Sequence, residues 1–190
     1  MAKPDEQSFP DRSHTALLVI DVINNLEFDG GEEMLPAALA MADRIVELKR
    51  RAAAAGVPVI YLNDNFGQWR SDFREVVKRN CRGVRGAPLV QRLAPGEDDY
   101  FVLKPKHSGF FGTTLETLLR FLGSRRLIVT GLATPMCVLF TAIDAYMRDY
   151  ELLVPEDCSA AADPAQHAAT IDYMKKTLKA DTRPSGQIEL

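Results

Sequence analysis

Gly131-Leu132-Ala133-Thr134-Pro135-Met136-Cys137 is the stretch that decides how the chain is read. Before it, Arg126-Leu127-Ile128-Val129-Thr130 is a continuous apolar run, as a strand buried on both faces requires. After it, Val138 to Tyr150 reads as a helix. The junction carries start signals: Thr134 stands where an N-cap belongs, and Pro135 takes the first helical position. On that register Cys137 is the third helical residue, in the turn whose free N–H groups and dipole favour an anion. A cysteine so placed has two readings. It is a thiol with a lowered pKa whose thiolate is a nucleophile, or it is a small apolar side chain packing the helix onto the sheet.

The same strand-then-loop pattern recurs on either side. Thr15 to Ile20 is an apolar run that stops abruptly at Asp21. Glu32 to Ala55 is a long helix with Ala38, Met41, Ile45, Leu48 and Ala52 in one stripe, closed by Gly56 and then Pro58. Val57 to Leu62 is a second strand, followed by a loop from Asn63 to Arg70. Ser71 caps a short helix to Asn80, and 83–97, with two prolines and three glycines, is a connection. Tyr100 to Leu103 is a third strand ending at Lys104, and Lys106 to Gly112 is a loop. Thr113 or Thr114 caps a helix with the stripe Leu115, Leu118, Leu119 and Leu122, closed by Gly123. Glu151 to Val154 is a fifth strand, Asp163 caps a helix reaching about Leu178, and Ala180 to Thr182 is a candidate sixth, edge strand. Strands alternating with helices predict a parallel sheet covered on both faces, a three-layer α/β/α fold. At 190 residues this is one domain over 15–190, with residues 1–14 as an N-terminal arm.

Composition removes several classes of function. The chain is 46% hydrophobic and 26% charged, which is globular. Its net charge is −3, and Lys49-Arg50-Arg51 and the scattered arginines from Arg70 to Arg85 read as solvated faces, so no nucleic-acid partner is expected. No apolar run approaches the roughly 18 residues of a membrane span, so no membrane partner is expected either. Met1 to His14 is polar and lacks the apolar core of a signal peptide. Cys81, Cys137 and Cys158 are odd in number and far apart, which fits neither a disulfide framework nor a metal-ligand spacing. A cytoplasmic location follows as the expectation.

Three reactive side chains share one structural address. Asp21, Lys104 and Cys137 each follow the C-terminal end of a different apolar strand, where open α/β sheets bind ligands. Asp21 can take the thiol proton, Lys104 supplies the charge that favours thiolate and carboxylate, and Cys137 attacks an electrophilic carbon. The turn at Leu132-Ala133-Thr134 would aim N–H groups at the same spot. Blander readings exist: Asp21 as a loop cap, and Lys104 as a rim lysine beside Lys106. His107 is a candidate base on the following loop, whereas His167 falls mid-helix and His14 lies at the wrong end of its strand. Asp64 has no histidine near it, so no metal is expected. Gly109-Phe110-Phe111-Gly112 lacks the spacing of a phosphate loop.

Taken in order, Leu18-Val19-Ile20-Asp21 with Asn24, Lys104-Pro105-Lys106-His107-Ser108-Gly109-Phe110 with Gly112-Thr113, and Gly131 to Val138 with Thr141 and Ala142 closely resemble the isochorismatase-like cysteine hydrolases. That superfamily includes nicotinamidases, N-carbamoylsarcosine amidases and ureidoacrylate amidohydrolases. The resemblance implies a six-stranded, mostly parallel, Rossmann-like sheet and an Asp21, Lys104, Cys137 triad. It also implies a cis peptide between Leu132 and Ala133, an oxyanion hole from the N–H groups of Ala133 and Cys137, and a thioester intermediate formed without a cofactor. Asn24, Phe66, Trp69, Phe110 and Thr134 are candidate substrate contacts, with Trp69 packing against a neighbouring subunit as the alternative, and the resemblance implies a homodimer or homotetramer. The sequence also departs from parts of the superfamily. Asn63 to Trp69 contains no histidine, unlike the metal-binding stretch of nicotinamidases. A cysteine at 137 sets the chain apart from true isochorismatases, which cleave a vinyl ether and lack the nucleophile. The expected reaction is therefore hydrolysis of a C–N bond in a small amide, carbamoyl or ureido compound. A vinyl-ether hydrolase and a binding module without turnover are the alternatives.

Overall fold

The computed structural model of the chain describes residues 12–67, 69–70 and 72–190. Most of the N-terminal arm and the expected cap Ser71 therefore lie outside the described residues. Strand β1 (Thr15–Ile20) is buried along its whole length and pairs in parallel with β2 (Val59–Asp64) on one side and β4 (Arg126–Leu132) on the other. Strand β3 (Tyr100–Lys104) extends the sheet beyond β2, and β5 (Glu151–Leu153) extends it beyond β4. The order β3-β2-β1-β4-β5 reverses direction between β1 and β4. That switch point opens a crevice at the carboxyl ends of the strands.

The continuous apolar runs are explained by two cores rather than one. Along β1, Leu17 and Val19 face one core and Ala16, Leu18 and Ile20 face the other, as the two-residue period of a strand dictates. The first core lies under α1 (Gly31–Ala54), whose Ala38, Met41, Ile45, Leu48 and Ala52 form the stripe expected from sequence, together with Leu89 and Val90 of α3 (Ala87–Arg92). The second lies under α4 (Leu115–Leu122), α5 (Leu139–Tyr146) and α6 (Pro164–Thr177). The result is the three-layer α/β/α arrangement, with a six-stranded sheet. Among the described residues no helix is long and apolar enough to cross a membrane.

Four local expectations need correction. The sixth strand is β6 (Ser159–Ala160), which pairs with Gly131 and Leu132 at the end of β4; Asp181 makes only an isolated bridge to Leu153. Two residues are too short a run for a period-2 signal to show. The 83–97 connection contains α3, a single short turn of helix whose Pro88 sits where proline is tolerated. Helix α2 (Phe73–Asn80) is capped by Asp72, whose carboxylate accepts from the N–H of Glu75. Finally, the helix after β4 does not begin at Thr134. Residues Thr134–Val138 form a wide π-helical turn, and α5 proper starts at Leu139.

Backbone contact sets the distance between β1 and β4 at the crevice. Gly131 pairs with Ile20 in register and has φ +111°, and a Cβ placed on it would stand 2.0 Å from the Ile20 carbonyl oxygen. Gly123, which closes α4, has φ +76° but opens onto free space. The two glycines therefore separate conformational strain from collision. Gly123→Ala is expected to cost about 1–2 kcal/mol, and Gly131→Ala more than about 3 kcal/mol because both penalties act together. Urea titrations of the two variants provide the comparison, and equal losses would remove the collision.

Candidate active site

Asp21 is the first residue after β1, in the left-handed region at φ 50°. Its N–H still donates to Leu62 O, so the ladder holds the residue while its side chain turns into the crevice. One carboxylate oxygen accepts from the Asp64 N–H at 2.7 Å, and the other lies 2.7 Å from Lys104 Nζ. Asn63, fully buried at the end of β2, pairs its side-chain amide with both the N–H and the carbonyl of Ile23. That clamp fixes the chain just past Asp21.

Lys104 comes from further away than the sequence suggests. It ends β3, which is separated from β1 by β2. At about 4.8 Å per strand, the two backbones are about 10 Å apart. A long, unbranched side chain has to pass the end of β2 to reach Asp21. Nζ is wholly buried and directs hydrogen bonds to Asp21, to the Lys106 carbonyl at 3.2 Å and to Cys137 Sγ at 3.5 Å, with Asp64 at 3.9 Å. Three donors thus have three acceptors, which is all an ammonium can use.

Cys137 sits inside the π-helical turn. The carbonyl of Ala133 starts that turn, accepting from Met136 and Val138, and the preceding Leu132–Ala133 peptide is cis. The thiol is half-buried and hydrogen-bonds the Asp21 carboxylate. Its ionisation departs from the first of the two readings, that of a thiol with a lowered pKa. Burial, aided by the charge of Asp21 and opposed by Lys104, pushes the thiol up to about 12. Burial also raises Asp21, against the pull of Lys104. Burial acts to lower Lys104, but Asp21, Cys137 and Asp64 outweigh it and hold the ammonium above its usual range. Burial therefore works against the charged forms of both Asp21 and Cys137, and the Lys104 cation stands beside them.

The remaining sequence candidates fall into different places. His107, weighed as a base, lies with Nδ1 3.7 Å from Cys137 Sγ on the exposed side. Phe66 and Trp69 are exposed on the loop after β2, 44% and 78% respectively. Asn24 closes an Asx turn with the N–H of Leu26. Thr134 is buried, and its hydroxyl meets His167 Nδ1 at 2.8 Å instead of capping the turn. His167 is in the first turn of α6 rather than mid-helix, and burial lowers its pKa. Phe110 is turned into the second core, against Tyr150 and under the Arg148 guanidinium at 4.8 Å. Its loop is fastened to α5 by Gly109 N–H donating to Thr141 Oγ1 and by Ser108 hydrogen-bonding Asp144. Met136, on the same turn as Cys137, and Phe140, at the start of α5, are exposed by 41% and 46% and are missing from the sequence candidates. Their helical spacing around Cys137 was the available signal. Among the described residues no group of three or more His, Cys, Asp and Glu side chains is arranged to hold a metal ion.

Comparison with known proteins places this geometry in context. The isochorismatase domain matches residues 15–182. An uncharacterized isochorismatase family protein of Bacillus subtilis is 39% identical over 177 residues, covering 93% of this chain and 97% of the relative. A ureidoacrylate amidohydrolase of Yersinia enterocolitica is 32% identical over 196 residues, covering 88% of this chain and 85% of the relative. Among solved structures, an N-carbamoylsarcosine amidase from Thermoplasma acidophilum superposes with a TM-score of 0.72 at 28% identity, over 94% of this chain and all of the other.

The charges around the thiol set opposite effects for two substitutions. Asp21→Asn removes a negative neighbour and should bring Cys137 down. Lys104→Met removes the positive one and should push it further up. Alkylation by iodoacetamide at pH 8, read at Cys137 by peptide mass spectrometry, should be faster in the first variant and slower in the second, by about tenfold per pKa unit. Slower alkylation in Asp21→Asn would mean that the carboxylate drives ionisation rather than opposing it.

Proposed function

The chain belongs to the isochorismatase family, and on that premise we propose that it is a cysteine hydrolase cleaving the C–N bond of a small amide, carbamoyl or ureido compound. Relatives named as an amidohydrolase and an amidase support the reading at the level of C–N hydrolysis. The observation that carries it is the single buried contact set in which Lys104 Nζ lies 2.7 Å from Asp21 and 3.5 Å from Cys137 Sγ. That is the arrangement a nucleophile, its base and a fixed cation require.

In this reading the reaction begins with the thiol proton passing to Asp21 as sulfur adds to the substrate carbonyl carbon. Lys104 offsets the negative charge that develops on the sulfur as its proton leaves, and that charge moves to the substrate oxygen as the S–C bond forms. The high pKa of Cys137 suits this order, because the thiol stays protonated until a substrate is in place. The N–H groups of Ala133 and Cys137 would receive the oxyanion. Collapse of the tetrahedral intermediate breaks the C–N bond, and the leaving nitrogen takes the proton held by Asp21. A thioester on Cys137 remains, and water cleaves it. Phe66 and Trp69 offer apolar surface beside the crevice for the body of the substrate.

The test is a panel of ureido, N-carbamoyl and primary carboxamide compounds, assayed by ammonia or amine release. The Cys137→Ala variant should lose about 10⁴-fold or more in kcat/KM, with an unchanged circular dichroism spectrum. Turnover at the wild-type rate would end the nucleophile role and turn attention to ether cleavage. Binding without turnover of any compound by the wild-type protein would point to a binding module.

A further inference from the structure

The triad reading leaves one step without an assigned group: the activation of the water that cleaves the thioester. Lys104 is held protonated by its neighbours and cannot accept a proton. Asp21 is buried, and its two oxygens accept from Asp64 and Lys104. His107 is exposed to solvent beside the sulfur, with Nδ1 3.7 Å from Cys137 Sγ.

The position of the imidazole is fixed by its surroundings. The Lys106 carbonyl just before it accepts from Lys104 Nζ, Ser108 just after it hydrogen-bonds Asp144, and Gly109 donates to Thr141. The ring itself packs against Phe140, with centroids 5.5 Å apart. The loop and helix α5 thus hold the imidazole over the nucleophile, and an imidazole is the side chain best matched to moving protons near neutral pH.

We propose that His107 is the general base of the second half-reaction, a role that rests on the cysteine-hydrolase reading above. His107 Nδ1 takes a proton from water as the water oxygen adds to the thioester carbonyl carbon. The C–S bond then breaks, the sulfur leaves as thiolate, and it takes the proton from the imidazolium beside it. The products are the carboxylic or carbamic acid and the free thiol, and His107 is neutral again. Asp21 serves formation of the thioester and His107 serves its hydrolysis, both beside one sulfur.

The probe is 4-nitrophenyl acetate, whose nitrophenolate leaves without needing a proton, so acylation and deacylation separate cleanly. Stopped-flow absorbance gives the burst and the later turnover, and intact-protein mass spectrometry gives the acetyl group on the enzyme. In His107→Gln and His107→Phe the burst should keep its wild-type rate, while later turnover falls by about 100-fold or more and acetyl-Cys137 accumulates. Unchanged turnover in both variants overturns the proposal. So does an equal fall in burst and turnover, which would make His107 a residue that only positions the thiol. If instead the wild-type protein takes no acetyl group on Cys137, and Cys137→Ala hydrolyses the ester equally fast, the cysteine-hydrolase reading itself falls and this role falls with it.

Discussion

Everything at the carboxyl edge of the sheet depends on one buried ion pair, Lys104 with Asp21. The ammonium is wholly removed from water and the carboxylate nearly so. Such a pair contributes little net stability, since desolvation offsets attraction, but removing one partner costs about 3–5 kcal/mol. The sequence therefore has to supply both charges together with the neutral groups that complete their hydrogen bonds. It does so with the Asp64 N–H and the Lys106 carbonyl, both from backbone. Backbone partners cannot reorient as side chains can, so the pair is fixed once the sheet is formed. Cys137 joins a charge balance that is already complete, which is why its proton is held rather than released.

The crevice has a dry side and a wet side, and the division follows from where each strand ends. Asp21 and Lys104 are buried against the sheet, while His107 stands in solvent beside the sulfur. A two-step hydrolysis has opposite needs in its halves. The first needs a shielded base that forces a reluctant thiol to give up its proton. The second needs access for water.

The strands, the two-sided cores and the three reactive positions were legible because each leaves a local signature. Thr15 to Ile20 is apolar at every position and is then broken by Asp21, so a buried strand with a charge at its end could be read directly. What lay outside local sequence was order and reach. Nothing between Tyr100 and Lys104 tells a reader that β2 intervenes between this lysine and its carboxylate, and the length of the lysine side chain gains its meaning only from that order. Ser159 and Ala160 are too few to show a period, yet they brace β4 just before the cysteine turn. Thr134 and Pro135 spell an ordinary helix start, but the buried bond from Thr134 to His167 commits the hydroxyl elsewhere and the turn widens. Phe110, a substrate contact on the sequence reading, packs against Tyr150 with the Arg148 guanidinium over its ring and so anchors the loop.

Strand β3 is an edge. Among the described residues it pairs with β2 alone, and Phe101 stands half in solvent. Edge strands open at lower free energy than the middle of a sheet, because fewer bonds must break together. The cation that balances the crevice is thus carried by an edge strand, while its two anionic neighbours, Asp21 and Asp64, sit on or beside interior ones. Gentle heating would then silence the protein before it melts it: the lysine would swing out with its strand, and chemistry would fade while the bulk of the secondary structure still read as native.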